Sequence, residues 1–434
     1  MSRIQRELIK FRTQRVSQSF CVLPWTHLYV NNSGEIHACC MAEYYGDGAD
    51  SDSKKIYAYE NGAIPKAWNS DYMQSIRRKM LAGQRPRECE RCFTDEDHGL
   101  KSYRLSQNEI HGHHLNWSTI QESKQELNIR FLDIRLGNMC NLVCRMCHPS
   151  ASRKWIPEWN QLFPDALDDQ EQKTLKLDWF EDDLFWSNLN PYLEQIRSVH
   201  LAGGEPLMTK KSFEFLKTLI AKGYAKDINL TYNTNFTLLP EFAFDLWKEF
   251  NSVTLMLSID GFDQVNKYIR YPANWDEIAK NFRKLVKYQK EPWLMKPKIV
   301  TTVQVLNAFD LVNLWKFLND LPLELYPNFH LNLVSEPECY SVQILPKDIK
   351  DDLRKEWLSG LDMFRAKRFN SIDSFKLYLN MKKNIVGLIK YMYSESREDL
   401  IPEFVRRTRV LDKTRNESLE QIIPKLERTL NKSS

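Results

Sequence analysis

The chain has 434 residues, of which 42% are apolar and 12% aromatic, and its formal net charge is +4. This composition excludes a disordered chain, the length suffices for two or three domains, and so small a net charge gives nucleic-acid binding no support. No apolar run approaches the roughly 18 residues that a membrane helix needs, and the amino terminus lacks the apolar core of a signal peptide. We therefore expect a cytoplasmic protein with no membrane partner.

The first predicted element is a β-hairpin with cysteines at both ends. Residues Cys21–Val30 alternate like a strand, Asn31–Gly34 read as a turn, and Glu35–Cys40 form the return strand. A helix is predicted over 68–80, and a C-x2-C pair follows at Cys89–Cys92.

Four of these cysteines are available to one metal site: Cys21, Cys39, Cys89 and Cys92. A hairpin followed by C-x2-C is a common zinc geometry, so a zinc ribbon is one interpretation. Cys40 is adjacent to a proposed ligand and is expected to point away, although it could exchange roles with Cys39. The nine cysteines fall mostly in short clusters, which favours metal ligation over disulfides.

From about residue 127 onward, predicted strands alternate with helices. The six strands are Asn128–Arg135, Ile196–Leu201, Asp227–Asn233, Ser252–Ile259, Lys298–Leu306 and Phe329–Val334. Such a repeat predicts an α/β fold with a partial (β/α)6 TIM-like barrel, in which ligands bind at the carboxyl ends of the strands. Beyond Tyr340 the pattern is helical, over 346–365, 374–391 and 416–431, and it carries no chemical motif.

The first of these strands leads into a loop with three cysteines in eight positions, Cys140, Cys144 and Cys147. The spacing C-x3-C-x2-C turns three thiolates toward one point, which suits three corners of a cubane iron–sulfur cluster and leaves the fourth open. A structural zinc site normally closes with four protein ligands, and this loop has no fourth one at a suitable spacing. Three cysteines in one loop also match inert core packing poorly, so the cluster is the better interpretation.

Further candidates for ligand binding follow other strands: Gly203, Gly204, Glu205, Pro206, Asn233, Ser258, Asp260 and Arg270. The glycines let the backbone approach a ligand closely, Ser258 and Asp260 offer groups suited to a ribose, and Arg270 can bind a carboxylate. Structural alternatives are an ordinary turn at 203–206, a helix cap at Asp260 and turn chemistry at Asn233.

The C-x3-C-x2-C loop, followed by Gly203-Gly204-Glu205-Pro206 after the second strand, resembles the motifs of the radical S-adenosylmethionine (radical SAM) superfamily. The resemblance implies that the open iron of a [4Fe-4S] cluster binds S-adenosylmethionine (SAM) and that the glycine turn holds its amino group. One position departs from the family pattern, since the residue before the third cysteine is often aromatic and is Met146 here. A flexible thioether can still pack against an adenine.

The arrangement C-x12-G-x4-C from Cys21 to Cys39, with the later C-x2-C pair, resembles the twitch domain, the short form of the SPASM domain. This resemblance implies a second, auxiliary [4Fe-4S] cluster on Cys21, Cys39, Cys89 and Cys92. Such domains usually follow the radical SAM core, whereas this one precedes it. The predicted domains are a twitch-like domain over 1–120, the radical SAM core over 121–340 and a helical region over 341–434.

The two resemblances together imply a radical SAM oxidoreductase that generates a 5′-deoxyadenosyl radical and abstracts hydrogen from a peptide or a small metabolite. A reductant such as flavodoxin or ferredoxin is the implied electron donor. One alternative keeps the core but transfers a methylthio or other group, and another is a zinc-dependent protein that binds nucleic acid. Cys339, after the sixth strand, is either a hydrogen-atom donor or a buried inert thiol.

Overall fold

The structure of the chain is a computed structural model, and it describes residues 8–9, 12–13, 15–42, 55–97, 101–122, 125–321, 328–334, 336–367 and 372–433. It divides into two compact units. Unit 1 comprises residues 1–138, 176–231 and 249–251, and unit 2 comprises residues 139–175, 232–248 and 252–434. Within the described residues, no helix combines the length and the apolar character needed to cross a membrane.

The strands of the fold are β1 (His27–Val30), β2 (Ile36–His37), β3 (Phe131–Arg135), β4 (Ser198–Ala202), β5 (Asn229–Thr234), β6 (Ser252–Ser258), β7 (Lys298–Val303) and β8 (Asn328–Leu333). Strands β1 to β4 belong to unit 1, β6 to β8 belong to unit 2, and β5 is divided between the units. All six predicted strands after residue 127 are present as β3 to β8, with ends shifted by a few residues. The parallel pairs within each unit confirm the predicted α/β class.

In unit 1, the predicted hairpin joins the same sheet as the first barrel strand. β1 pairs antiparallel with β2 and parallel with β3, and β3 pairs parallel with β4. Apolar side chains on one face alternate with polar ones on the other, following the two-residue period of a β-strand. The buried apolar residues of this face are Leu28, Val30, Leu132, Ile134, Val199 and Leu201.

Both strands of the hairpin are shorter than predicted. Leu23–Thr26 forms a helical turn with Pro24 near its start, where proline is favoured, so only His27–Val30 is extended. The return strand is limited to Ile36–His37, and Cys39 and Cys40 lie in the bend that follows it.

The helices of unit 1 are Leu23–Thr26, Ala63–Trp68, Asp71–Leu81, Glu90–Asp97, Tyr103–His111, Asp183–Leu189 and Lys210–Ala221. Asp71–Leu81 is the helix predicted over 68–80. It begins after Ser70, whose hydroxyl accepts a hydrogen bond from the Met73 amide, and it buries Met73, Ile76 and Met80.

The helices of unit 2 are Ile156–Leu162, Asp169–Leu175, Glu241–Trp247, Asp263–Ile269, Trp275–Tyr288, Leu311–Asp320, Lys347–Lys367, Ile372–Ser394, Ile401–Arg415, Leu419–Ile422 and Pro424–Ser433. Several alternate with the parallel strands, as in β/α repeats. The helix Ile401–Arg415 lies in a stretch that the sequence analysis left without a helix, and the structure shows a continuous one there.

Candidate functional site

The core cysteines (Cys140, Cys144 and Cys147) lie together on the loop that begins unit 2. Cys144 is buried, and Cys140 and Cys147 are half-buried. A hydrogen bond between Cys144 and Cys147 lowers the pKa of the Cys144 thiol, and Cys147 also interacts electrostatically with Cys140. The three thiols are thus brought to one place, as the spacing predicts.

Backbone hydrogen bonds hold this loop to the segment that ends the helix Asp263–Ile269. The Val143 amide donates to the Tyr271 carbonyl at 2.7 Å, and the Arg145 amide donates to the Ile269 carbonyl at 2.7 Å. Because these amides flank Cys144, the position of that thiol is fixed by main-chain contacts as well as by packing.

A polar side chain approaches the first core cysteine. Asn235, just after β5, donates from Nδ2 to Cys140 Sγ at 3.8 Å and to Asn141 Oδ1 at 2.8 Å. Its own Oδ1 accepts from Thr237, which fixes the amide orientation. Hydrogen bonds to sulfur are among the contacts by which proteins tune an iron–sulfur cluster.

Asp260 and Arg270 form a buried ion pair behind the loop, with Arg270 Nε 2.7 Å from Asp260 Oδ2. The Thr302 amide donates to Asp260 Oδ1 at 2.7 Å. Burial raises the pKa of the Asp260 carboxyl, although Arg270 acts in the opposite direction. Arg270 in turn interacts favourably with the Cys144 and Cys147 sulfurs, so its charge offsets that of thiolates. In this structure Asp260 therefore orients Arg270.

The other predicted cofactor residues of unit 2 are Met146, Ser258 and Asn233. Met146 packs with the core cysteines in a small apolar cluster that contains Leu142 and Ala273. Ser258 is the last residue of β6, and Asn233 lies near the end of β5. Both side chains are half-buried.

The predicted glycine turn, Gly203 to Pro206, lies in unit 1 directly after β4. Gly203 has φ +85°, and a Cβ there would lie 2.8 Å from the Arg135 Cα and 2.8 Å from Asn32 Oδ1. Only glycine fits both the conformation and the space. Glu205 is fully buried and its Oε1 accepts a hydrogen bond from the Leu207 amide. Since Asn32 belongs to the hairpin turn, the hairpin contacts the glycine turn within unit 1.

The auxiliary cysteines (Cys21, Cys39, Cys89 and Cys92) lie in unit 1. Cys21 belongs to an apolar cluster that includes Phe20, Trp25, Met73, Ile76 and Met80, and Cys39 and Cys89 pack against it. Their sulfurs interact electrostatically, Cys39 with Cys21 and Cys89, and Cys89 with Cys92. Burial raises the pKa of the Cys21 thiol to about 12 and raises those of the other three. The structure thus brings together all four thiols that the sequence assigned to one site.

Cys40 points into a different environment from its neighbour. Its sulfur is hydrogen-bonded to Tyr103 and Arg135, and burial raises the pKa of its thiol to about 11. Cys339 is buried in the turn Glu338–Tyr340, and burial raises its pKa to about 11 as well.

A polar face on the sheet of unit 1 was missed by sequence reasoning. Tyr29, Asp133 and His200 are register partners on β1, β3 and β4, so they share one face. Asp133 is fully buried, with His200 Nδ1 at 3.3 Å from Oδ1 and Arg135 Nη2 at 3.4 Å from Oδ2. The polar residues at positions 133 and 135, and a histidine inside the second predicted strand, were the available signal.

The donor sets fit iron–sulfur clusters. Among the described residues, no three His, Cys, Asp or Glu side chains are spaced to hold a single metal ion. A [4Fe-4S] cluster binds each thiolate at a separate iron, so its ligands lie farther apart than those of a single metal ion. Three thiols with a buried cation nearby suit a cluster with one open iron, and four neighbouring thiols suit a closed one.

Residues 134–303 match the family model of the radical SAM superfamily. The chain carries a radical SAM domain. Residues 21–93 match the model of the SPASM iron–sulfur cluster-binding domain, which therefore precedes the radical SAM domain, as the cysteine pattern predicts. The radical SAM domain implies a [4Fe-4S] cluster and SAM, and the SPASM domain implies an auxiliary iron–sulfur cluster.

The curated relatives include proteins named GTP 3′,8-cyclase, among them those of Campylobacter curvus and Sulfurimonas denitrificans. The one from Campylobacter curvus is 27% identical over 191 residues, which are 44% of this chain and 52% of the relative. The one from Sulfurimonas denitrificans is 30% identical over 115 residues, 26% of this chain and 30% of the relative. The chain thus spans about half or less of the length of these relatives.

Among solved structures, SuiB from Streptococcus suis is 15% identical, with 73% of this chain and 65% of SuiB covered at a TM-score of 0.36. The enzyme anSMEcpe, with bound AdoMet and the Cp18Cys peptide, is 18% identical, with 52% of this chain and 59% of that protein covered at a TM-score of 0.33. These scores carry no argument about substrate.

Proposed function

We propose that this chain is a radical SAM oxidoreductase that oxidises a peptide or a small metabolite. The observation that most supports the proposal is the core loop, where three thiols meet beside a buried arginine and no fourth protein thiol joins them among the described residues. An open iron at such a site is what SAM chelation requires.

In this proposal the core cysteines hold a [4Fe-4S] cluster, and the turn at Gly203–Pro206 binds the amino group of SAM. Arg270, oriented by Asp260, contributes positive charge for its carboxylate, the hydroxyl of Ser258 suits its ribose, and Asn233 lines the site. Met146 packs against the adenine. When bound, the reduced cluster and SAM supply the 5′-deoxyadenosyl radical, which abstracts a hydrogen atom from carbon.

The auxiliary cysteines support the oxidative outcome. Four protein thiols leave no iron open to a substrate, so the auxiliary cluster would exchange electrons rather than bind substrate. Apolar packing around these thiols keeps water away, which also suits electron transfer. A flavodoxin or ferredoxin is the proposed electron donor for the core cluster.

The test begins with protein purified anaerobically and analysed for iron and acid-labile sulfide. Two clusters should be present, and reduction with dithionite in the presence of SAM should yield 5′-deoxyadenosine. The triple variant Cys140→Ala/Cys144→Ala/Cys147→Ala should retain about half of the iron and form no 5′-deoxyadenosine. A colourless zinc protein, or a triple variant that still cleaves SAM, would refute the proposal.

The oxidative step has its own readout. With a substrate in hand, the product should be two electrons more oxidised than the substrate, and one 5′-deoxyadenosine should form per product. A redox-neutral product would remove the oxidoreductase assignment and leave the radical SAM chemistry standing.

A further inference from the structure

The carboxyl-terminal region of unit 2 contacts the core loop at a buried arginine of that loop. Arg145, which lies between Cys144 and Cys147, is fully buried. Its Nη2 is 2.5 Å from Asp412 Oδ1 and 2.9 Å from Glu417 Oε2, and its Nε donates to the Tyr268 carbonyl at 2.9 Å. The guanidinium also lies 3.6 Å from the centre of the Tyr268 ring.

Asp412 joins three separate parts of unit 2. Besides Arg145, it accepts hydrogen bonds from the Tyr268 hydroxyl at 2.7 Å and from the Leu419 amide at 2.9 Å. Both of its carboxylate oxygens are therefore used. The carboxylate ties the cysteine loop, the helix Asp263–Ile269 and the end of the helix Ile401–Arg415 into one buried network.

A second buried arginine, Arg415 at the end of the helix Ile401–Arg415, holds the loop backbone. Arg415 is almost fully buried, and its Nη2 donates to the Val143 carbonyl at 2.8 Å. Glu158 fixes this guanidinium, with its carboxylate 2.6 Å from Nη2. Arg415 also lies over the rings of Trp155 and Tyr271. Trp155 completes the arrangement by donating from Nε1 to the Cys144 carbonyl at 2.9 Å.

Such a network contributes little to the stability of the fold by itself. Taking an arginine and its carboxylates out of water costs free energy that apolar packing would not, so buried ion pairs are weak evidence of a purely stabilising role. Arg145 Nη1 is also buried with no hydrogen-bond partner among the described residues. Arg145 belongs to the loop between Cys144 and Cys147, and Arg415 acts electrostatically on the Cys144 sulfur, so this network bears on whatever those thiolates bind.

We propose that Asp412, Arg415 and Glu417 are positioning residues for the core cluster, acting through Arg145 and the Val143 carbonyl. In this view the region after residue 400 belongs to the cluster-binding site and sets both the retention and the reduction potential of the cluster. The inference rests on the proposed assignment of Cys140, Cys144 and Cys147 as cluster ligands.

The test compares Asp412→Asn with Glu420→Gln, which removes the same charge at an exposed position of the same segment. Asp412→Asn removes one of the two carboxylates that offset the positive charge of Arg145, which favours the reduced cluster, so the midpoint of the core cluster should move to more positive potential. Retention of core iron should weaken by about tenfold, as expected for a residue that supports a metal site. The auxiliary midpoint and Glu420→Gln should match the wild type.

Redox titration followed by electron paramagnetic resonance gives both midpoints in the same sample. Asp412→Glu keeps the charge and should restore most of the wild-type midpoint. If Asp412→Asn loses both clusters and the circular dichroism of the folded protein, Glu417→Gln is tested instead, because Glu417 also pairs with Arg145.

An unchanged midpoint together with unchanged iron in Asp412→Asn, or in its replacement variant, overturns the inference. The triple cysteine variant separates this failure from that of the proposed function. If that variant keeps the core signal, the ligand assignment is wrong. If it loses the signal while Asp412→Asn behaves like the wild type, only the positioning role is wrong.

Discussion

The core and auxiliary cysteines are both suited to hold an iron–sulfur cluster, but they are distributed differently along the sequence. The core cysteines come from one loop of eight positions, whereas the auxiliary cysteines come from three segments around one apolar cluster. Ligands on one loop keep their mutual spacing wherever that loop folds, but ligands on separate segments meet only when their unit has folded. The auxiliary site should therefore depend more strongly on the folding of its surroundings.

The two sites also differ in how charge is balanced. Three buried arginines lie in the core loop or act on it, namely Arg145, Arg270 and Arg415. Near the auxiliary thiols, Arg104 offsets the charge of Cys21, Cys89 and Cys92, and its Nη1 also binds the Phe20 carbonyl. A cluster with an open iron that must be reduced gains from nearby positive charge, whereas a closed cluster in apolar surroundings needs less.

The largest effect should follow from Cys144→Ser. Replacing this ligand should lower 5′-deoxyadenosine formation by at least about 100-fold, because even residues that only support a metal ligand cost roughly 10–100-fold. The measurement is chromatography of reactions with SAM and dithionite. The matched control is Cys339→Ser, another buried cysteine outside both sets, which should keep wild-type turnover. Turnover of Cys144→Ser close to the wild-type rate would remove the core assignment.

The next effect tests whether the two sites are independent. The double variant Cys89→Ala/Cys92→Ala should lose about half of the iron, since one of two clusters is absent. Formation of 5′-deoxyadenosine without substrate should persist, because the core loop keeps all of its own ligands. Iron analysis and the same chromatographic assay give the two readouts. Loss of SAM cleavage in this variant would mean that the core site depends on the auxiliary site.

A smaller effect should come from Asn235→Ala, which removes the donor 3.8 Å from Cys140 Sγ. We expect core iron to be retained about tenfold less well under chelator challenge, with the auxiliary cluster unaffected. The control is Asn251→Ala, an exposed asparagine before β6. Equal iron loss from both sites would indicate general unfolding instead of a contact specific to the core.

Local patterns were readable in the sequence, and long-range partners were not. The core loop and the strands β3 to β8 follow from cysteine spacing and apolar periodicity, both of which are properties of short segments. The parallel pairing of β1 with β3 joins residues about one hundred positions apart, and nothing in either strand identifies the other. For the same reason nothing in the sequence around Arg145 indicates that it pairs with Asp412, which lies 267 positions later.

The helix Ile401–Arg415 was missed for a related reason. Its buried face includes Arg407, Thr408 and Arg415 alongside Phe404 and Leu411, so its apolar period is weak. Charged residues on a buried face become understandable only when their partners are known. The part of this region that sequence reasoning described as lacking a chemical motif is the part that contacts the core loop.

The smallest effect concerns acid sensitivity near the auxiliary site, where His27 Nδ1 lies 3.3 Å from the carbonyl of Ala38, the residue before Cys39. Burial lowers the pKa of His27 from 6.5 to about 4, so the unfolded chain binds a proton there that the folded chain does not. Stability should therefore fall as pH drops from 6.5 to 4, by at most about 3 kcal/mol for this residue.

His27→Gln keeps a donor for Ala38 and removes the titration, so the variant should lose less stability than the wild type over that range and match it closely above pH 7. Urea unfolding of both proteins, anaerobically and with clusters bound, isolates the difference because cluster effects are common to both. Burial also lowers the pKa of His111 and His114 to about 3, so some acid sensitivity should remain in the variant. Identical pH profiles would mean that His27 is not held neutral by the fold, and the hydrogen bond beside Cys39 would then stabilise the auxiliary region equally at every pH.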